Sequence, residues 1–105
     1  MPFSRRHRHK FNAKTAVSHG TKFASQKEAR YYADLLILVK CGDVLFFLRQ
    51  VPFHLPGGVT YRCDFAIFYK SGIVRFVDVK GMKTRSFIDK KKMVEDLYPV
   101  EIETA

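Results

Sequence analysis

Asp64 and Asp78 are the residues of this 105-residue chain whose types sit least easily in their surroundings. Asp64 stands inside Tyr61-Arg-Cys-Asp-Phe-Ala-Ile-Phe68, and Asp78 inside Val74-Arg-Phe-Val-Asp-Val-Lys80. Both runs read as β-strand, where aspartate is disfavoured. A carboxylate buried there must be paired or bind a metal. Between the runs lies Lys70-Ser71-Gly72. A three-residue hairpin loop, with glycine supplying the left-handed residue, pairs Tyr69 with Ile73. That register sets Asp64 opposite Asp78 on one face, with Cβ atoms about 5 Å apart. Lys80 projects from the same face, two residues beyond Asp78. A two-residue loop would instead move the acids to opposite faces.

Two close carboxylates form a site for a hard cation. Mg²⁺ takes one or two carboxylates together with water and substrate phosphate, and Mn²⁺ suits the same oxygen ligands. A neighbouring lysine can hold an attacking water and stabilise negative charge on a phosphate. The set fits phosphodiester hydrolysis. The competing reading is a structural Asp–Lys–Asp ion cluster, although buried ion clusters rarely improve on apolar packing.

The elements that must position these residues follow from the local pattern. Ser25-Gln-Lys-Glu28 has the form of a capping box, and Ala29 to Lys40 continue as a helix stopped by Gly42. Val44 to Val51 reads as a strand closed by Pro52, and Pro56-Gly57-Gly58 as a turn. Val59 to Tyr69 and Ile73 to Lys80 are the next two strands. Ser86 is placed to cap a second helix over Phe87 to Leu97, broken at Tyr98-Pro99, and Val100 to Glu103 is a short last strand. The strands are apolar at both parities, so both sheet faces should be covered. The order α-β-β-β-α-β predicts an α/β fold with a small mixed β-sheet flanked by helices. The last strand–helix–strand step should be a right-handed crossover to a parallel strand.

Charge narrows the partner. The formal net charge is +9, and seven of the nineteen basic residues fall in residues 1–27, which hold no acid. The other twelve face all ten acids, and six of them cluster between Lys80 and Lys92. Residues 1–22 read as a flexible basic arm, and 23–105 as a single domain. Such a layout fits an acidic partner, most simply nucleic acid. Arg5, Arg6, Arg8 and Lys10 in the arm, and Lys83 and Arg85 after Asp78, are the expected phosphate contacts. No apolar run approaches the ~18 residues of a membrane span. Nor does an apolar segment follow the basic start as in a secretory signal. Cys41 and Cys63 form neither a disulfide framework nor a zinc site, which fits a reduced, cytoplasmic setting.

Asp64, thirteen intervening residues, then Asp78-Val79-Lys80 resembles the PD-(D/E)xK nuclease motif. The predicted element order resembles the αβββαβ core of that restriction-endonuclease-like superfamily. From Lys22 to Arg30, then through Gln50-Val-Pro-Phe53, Asp64-Phe65, Asp78 to Gly81 and Val100 to Ile102, the chain resembles short phage and prophage proteins described as candidate nucleases. Cys63 stands where the motif has proline. The resemblance implies a Mg²⁺-dependent DNA endonuclease, with Mn²⁺ as the alternative metal. Asp64 and Asp78 would hold the metal, Glu28 would assist from the first helix, and Lys80 would activate water. It gives Gln50 an accessory position near the site. It also implies a 5′-phosphate product, a homodimer, and branched DNA such as a Holliday junction, or duplex DNA, as substrate. The alternatives are a nicking or transposase-type end-cutting subunit and, in another class, a non-catalytic nucleic-acid-binding protein.

Overall fold

A computed structural model describes residues 16–18 and 20–105. Arg5, Arg6, Arg8 and Lys10 lie outside the described residues. Strands β1 (Ala16–Ser18) and β2 (Thr21–Phe23) form an antiparallel hairpin, with Gly20 at φ 77° in its turn. This hairpin packs against the first helix and lies largely within the stretch read from sequence as arm. Its anchor is Phe23, buried with its ring centroid 4.9 Å from that of Tyr32. One large apolar residue at the end of a basic stretch is a weak strand signal, which is why composition alone assigned residues 16–22 to the arm.

Helix α1 (Gln26–Cys41) starts where the Ser25 hydroxyl accepts the Glu28 backbone N–H at 3.1 Å. It stops at Gly42, whose φ of 89° admits glycine without strain. Strand β3 (Val44–Leu55) runs straight through Pro52, contrary to the expected stop. The sheet order explains this. β3 is an edge strand beside β4 (Val59–Tyr69), followed by β5 (Val74–Asp78) and β6 (Ile102–Thr104). A proline lacks only the N–H that an edge strand can leave unpaired. Helix α2 (Arg85–Leu97) begins two residues earlier than expected, capped by Thr84 and not by Ser86. The Thr84 hydroxyl accepts the Phe87 N–H at 3.1 Å, and the earlier start brings Arg85 within 3.3 Å of Asp89 one turn on. Among the described residues no helix is long and apolar enough to cross a membrane.

The β4–β5 hairpin has the three-residue loop. Phe65 pairs with Val77, Ala66 with Phe76, Ile67 with Arg75 and Phe68 with Val74. Tyr69 donates its N–H to the Ile73 carbonyl at 2.9 Å, and Gly72 sits at φ 96°. β5 and β6 are parallel, as the crossover requires. The molecule is thus an α/β fold: a four-stranded mixed sheet with helices on both faces. Adjacent residues of β5 show this, because Phe76 packs into the cluster under α2 and Val77 into the cluster under α1.

The two clusters divide β3 and β4 at one level. Phe47 on β3 and Phe65, Ile67 and Tyr69 on β4 belong under α1. Val51, Phe53 and Leu55 on β3 and Tyr61 and Cys63 on β4 belong under α2. These are all odd-numbered positions, which in a regular strand keep to one face. They change sides at Gln50 and Asp64. Gln50 has φ 51°, the one non-glycine residue with positive φ among those described. The ladder registers Arg49 with Phe65 and Val51 with Cys63 on either side of this break.

Candidate functional site

Asp64 occupies that break and Asp78 the end of β5, each one residue beyond the last registered pair of the hairpin, Phe65 with Val77. Asp78 is wholly buried and Asp64 is 9% exposed. Each carboxylate bonds the other's strand. Asp78 Oδ1 accepts the Asp64 backbone N–H at 2.8 Å, and Asp64 Oδ2 accepts the Val79 N–H at 2.9 Å. Gln50 Nε2 donates to Asp64 Oδ1 at 3.2 Å, which its left-handed backbone makes possible by turning the side chain away from the regular ladder. Asp78 Oδ2 is buried with no hydrogen-bond partner. Burial raises the Asp78 pKa above its ordinary 3.8, against the Asp64 amide and the positive charge of Lys80.

Lys80 is half-buried, its Nζ 5.0 Å from the centre of the Phe87 ring at the start of α2. Its carbonyl accepts the Lys27 ammonium at 3.3 Å, which ties the strand end to the first turn of α1. The aromatic face holds the ammonium in a fixed place, on a side chain whose charge reaches Asp78.

Glu28 enters from α1. It uses its backbone N–H for the cap, while the carboxylate turns inward and is 3% exposed. Its pKa is raised above the ordinary 4.5, first by burial and next by the charge of Asp64, with Arg49 and the Ala24 backbone opposing. Arg49 Nη2 stands 3.6 Å from Glu28 Oε2. Arg49 is the residue that sequence reasoning passed over. The available signal was an arginine inside an apolar strand, at the same parity as Phe47, beside Gln50.

The structure therefore brings Asp64, Asp78, Gln50 and Lys80 to one level of the sheet, with Glu28 close enough to feel Asp64. Among the described residues no three His, Cys, Asp or Glu side chains converge tightly enough to hold a metal between them. The donor set nevertheless fits a hard cation. It is all oxygen, and the unpartnered buried oxygens Asp78 Oδ2 and Glu28 Oε2 each lack a positive or donor group at hydrogen-bond distance. Cys63 is not part of it. The thiol is fully buried against the Phe65 and Val77 carbonyls at 3.5 Å, and burial pushes its pKa up to about 11.

Lys83 and Arg85 are exposed beyond β5, with Arg85 sharing its charge with Asp89. An open depression of about 650 Å³ lies at the far end of α1, lined by Leu38, Asp43, Tyr69, Lys70 and Ser71, and contains none of the expected site residues.

Comparison with curated proteins and with solved structures gives no match. A family model matches residues 8–104, nearly the whole chain, and by that match this chain belongs to DUF1064, a family described as protein of unknown function.

Proposed function

We propose that the chain is a divalent-cation-dependent DNA endonuclease of restriction-endonuclease-like type, acting on branched or duplex DNA. The observation that carries this reading is the pair of buried aspartates, each bonded to the other's strand, with Asp78 Oδ2 unpartnered and Asp78 within reach of the Lys80 charge. Acids on a face that meets phosphate would weaken binding unless a cation lies between them. Asp64 and Asp78 are the residues to hold Mg²⁺ or Mn²⁺, with Glu28 assisting. Bound there, the cation supplies charge on the phosphate oxygens and a more acidic water.

The chain's own residues do the rest. Gln50 fixes the rotamer of Asp64 through Oδ1. The Lys80 ammonium, resting on Phe87, orients water and balances negative charge as the phosphate is attacked. Lys83 and Arg85 meet the DNA backbone, and Arg5, Arg6, Arg8 and Lys10 extend that contact. One site per chain and two strands to cut favour a two-fold homodimer in the cytoplasm.

The test is incubation with supercoiled plasmid and with a synthetic four-way junction, in Mg²⁺, Mn²⁺ or chelator. Metal-dependent cleavage is expected, lost in Asp78→Asn and in Lys80→Met while DNA binding is kept. Tight binding with no cleavage of any DNA would replace the enzyme by a non-catalytic nucleic-acid-binding protein.

A further inference from the structure

Glu28 and Arg49 form a pair that is built as an unfinished ion pair. A finished buried arginine–carboxylate pair is bidentate, with two short parallel hydrogen bonds. Here a single contact of 3.6 Å joins Nη2 to Oε2, and neither Glu28 Oε2 nor Arg49 Nε has a hydrogen-bond partner although both atoms are buried. The guanidinium is held from elsewhere. It lies 4.3 Å from the centre of the Phe23 ring and 5.9 Å from that of Tyr32. Those rings belong to the N-terminal hairpin and to α1, so Arg49 is fixed by stacking and not by its acid.

Glu28 also feels the charge of Asp64, which raises its pKa as Arg49 lowers it. An ionised Glu28 carboxylate, buried and repelled by Asp64, is favoured by a positive charge beside it. Arg49 supplies that charge at ion-pair distance.

We propose that Arg49 is a positioning residue that stands in for the cation at Glu28 and gives up the carboxylate when a divalent ion binds. The proposal rests on the reading of Asp64 and Asp78 as a cation site. Its long, single contact is what lets the carboxylate leave at little cost, and the stack on Phe23 keeps the guanidinium in place afterwards.

The test is Mn²⁺ titration of the full-length chain by calorimetry at fixed pH, in wild type, Arg49→Met, Glu28→Gln and the double variant. Removing a competing unit charge several ångströms from the ion should tighten Mn²⁺ binding about tenfold in Arg49→Met. In the Glu28→Gln background the same change should leave affinity within about twofold, because the competition has gone. Arg49→Lys, which keeps the charge, should bind as wild type does. Unchanged or weaker binding in Arg49→Met, or equal tightening with and without Glu28, overturns the proposal. A wild-type chain that binds no Mn²⁺ overturns the cation reading and the stand-in role together. Thermal unfolding without metal then shows which role remains for Arg49. If Arg49→Met lowers the midpoint and Glu28→Gln restores it, Arg49 is a structural counter-ion only.

Discussion

Asp78 receives the backbone N–H of Asp64 on Oδ1 at 2.8 Å, so one aspartate fixes the strand that carries the other. Asp64 returns the arrangement through the Val79 N–H. One oxygen of each carboxylate serves the backbone at a place where the ladder is broken, and Asp78 Oδ2 is left for chemistry.

Asp78→Asn keeps an oxygen acceptor for the Asp64 amide and removes a buried charge. Its stability should equal or exceed that of wild type while DNA cleavage is lost. Asp78→Ala removes the acceptor as well, and should cost about 1–3 kcal/mol for the buried N–H left unpaired. Urea unfolding of the two variants, beside plasmid cleavage, separates the structural from the chemical use of one side chain. Equal losses of stability in both would contradict the division of its two oxygens.

The cation-free chain should carry an unusual pH dependence. Burial raises both Glu28 and Asp78 above their ordinary 4.5 and 3.8. The folded state then keeps protons that the unfolded state has released. In that window stability falls as pH rises. The contribution is complete below about pH 4 and is lost as pH climbs through the raised values. Glu103 works oppositely, since its hydrogen bonds from Arg75 at 3.0 Å lower its pKa and its contribution is lost on acidification. The difference between wild type and the Glu28→Gln, Asp78→Asn double variant isolates the first effect. From about pH 4 to 8 the variant should gain on wild type in urea midpoint. A constant difference would rule the linkage out.

Gln50 tests whether strain serves the site. A non-glycine residue at left-handed φ costs about 1–2 kcal/mol, and Gln50→Gly relieves this while deleting the hydrogen bond to Asp64. Stability should stay within about 1 kcal/mol of wild type. Cleavage should fall about tenfold or more as Asp64 loses its orienting contact. A fully active glycine variant would reduce Gln50 to a strand kink.

Salt dependence identifies the backbone contacts. With Asp78→Asn holding the DNA uncut, Lys83→Ala should flatten the plot of log affinity against log salt by about 0.9. Arg85→Ala should flatten it less, because Asp89 already shares its charge. Fluorescence anisotropy on a labelled duplex reads both slopes. An unchanged slope for Lys83→Ala would remove it from the interface.

The hairpin was legible because loop length fixes register, and counting back along it brought Asp64 and Asp78 near one another. Gly72 needed nothing beyond that rule, whereas the break at Gln50 and Asp64, where the faces change, left no mark in the alternation. The continuation of β3 through Pro52 was not legible, since only the sheet order reveals that β3 is an edge. The Thr84 cap was hidden because Ser86, two residues on, is by type at least as good a cap, whereas the Phe87 N–H is accepted by Thr84. Glu28 read both as one half of a capping box and, by the resemblance alone, as an acid assisting the site. Its carboxylate turns inward beside Arg49, a neighbour that a one-dimensional pattern cannot place.

The change of sides at Gln50 and Asp64 has a mechanical meaning. Two oily interiors, each gripped by its own helix, meet at a line crossed by these residues, with Asp78 beside it on β5. A rocking of α1 against α2 would take this line as its axis, where displacement is smallest. In such a rocking Gln50, Asp64 and Asp78 would lie nearest the pivot, and the strand ends and outer helical turns would travel furthest.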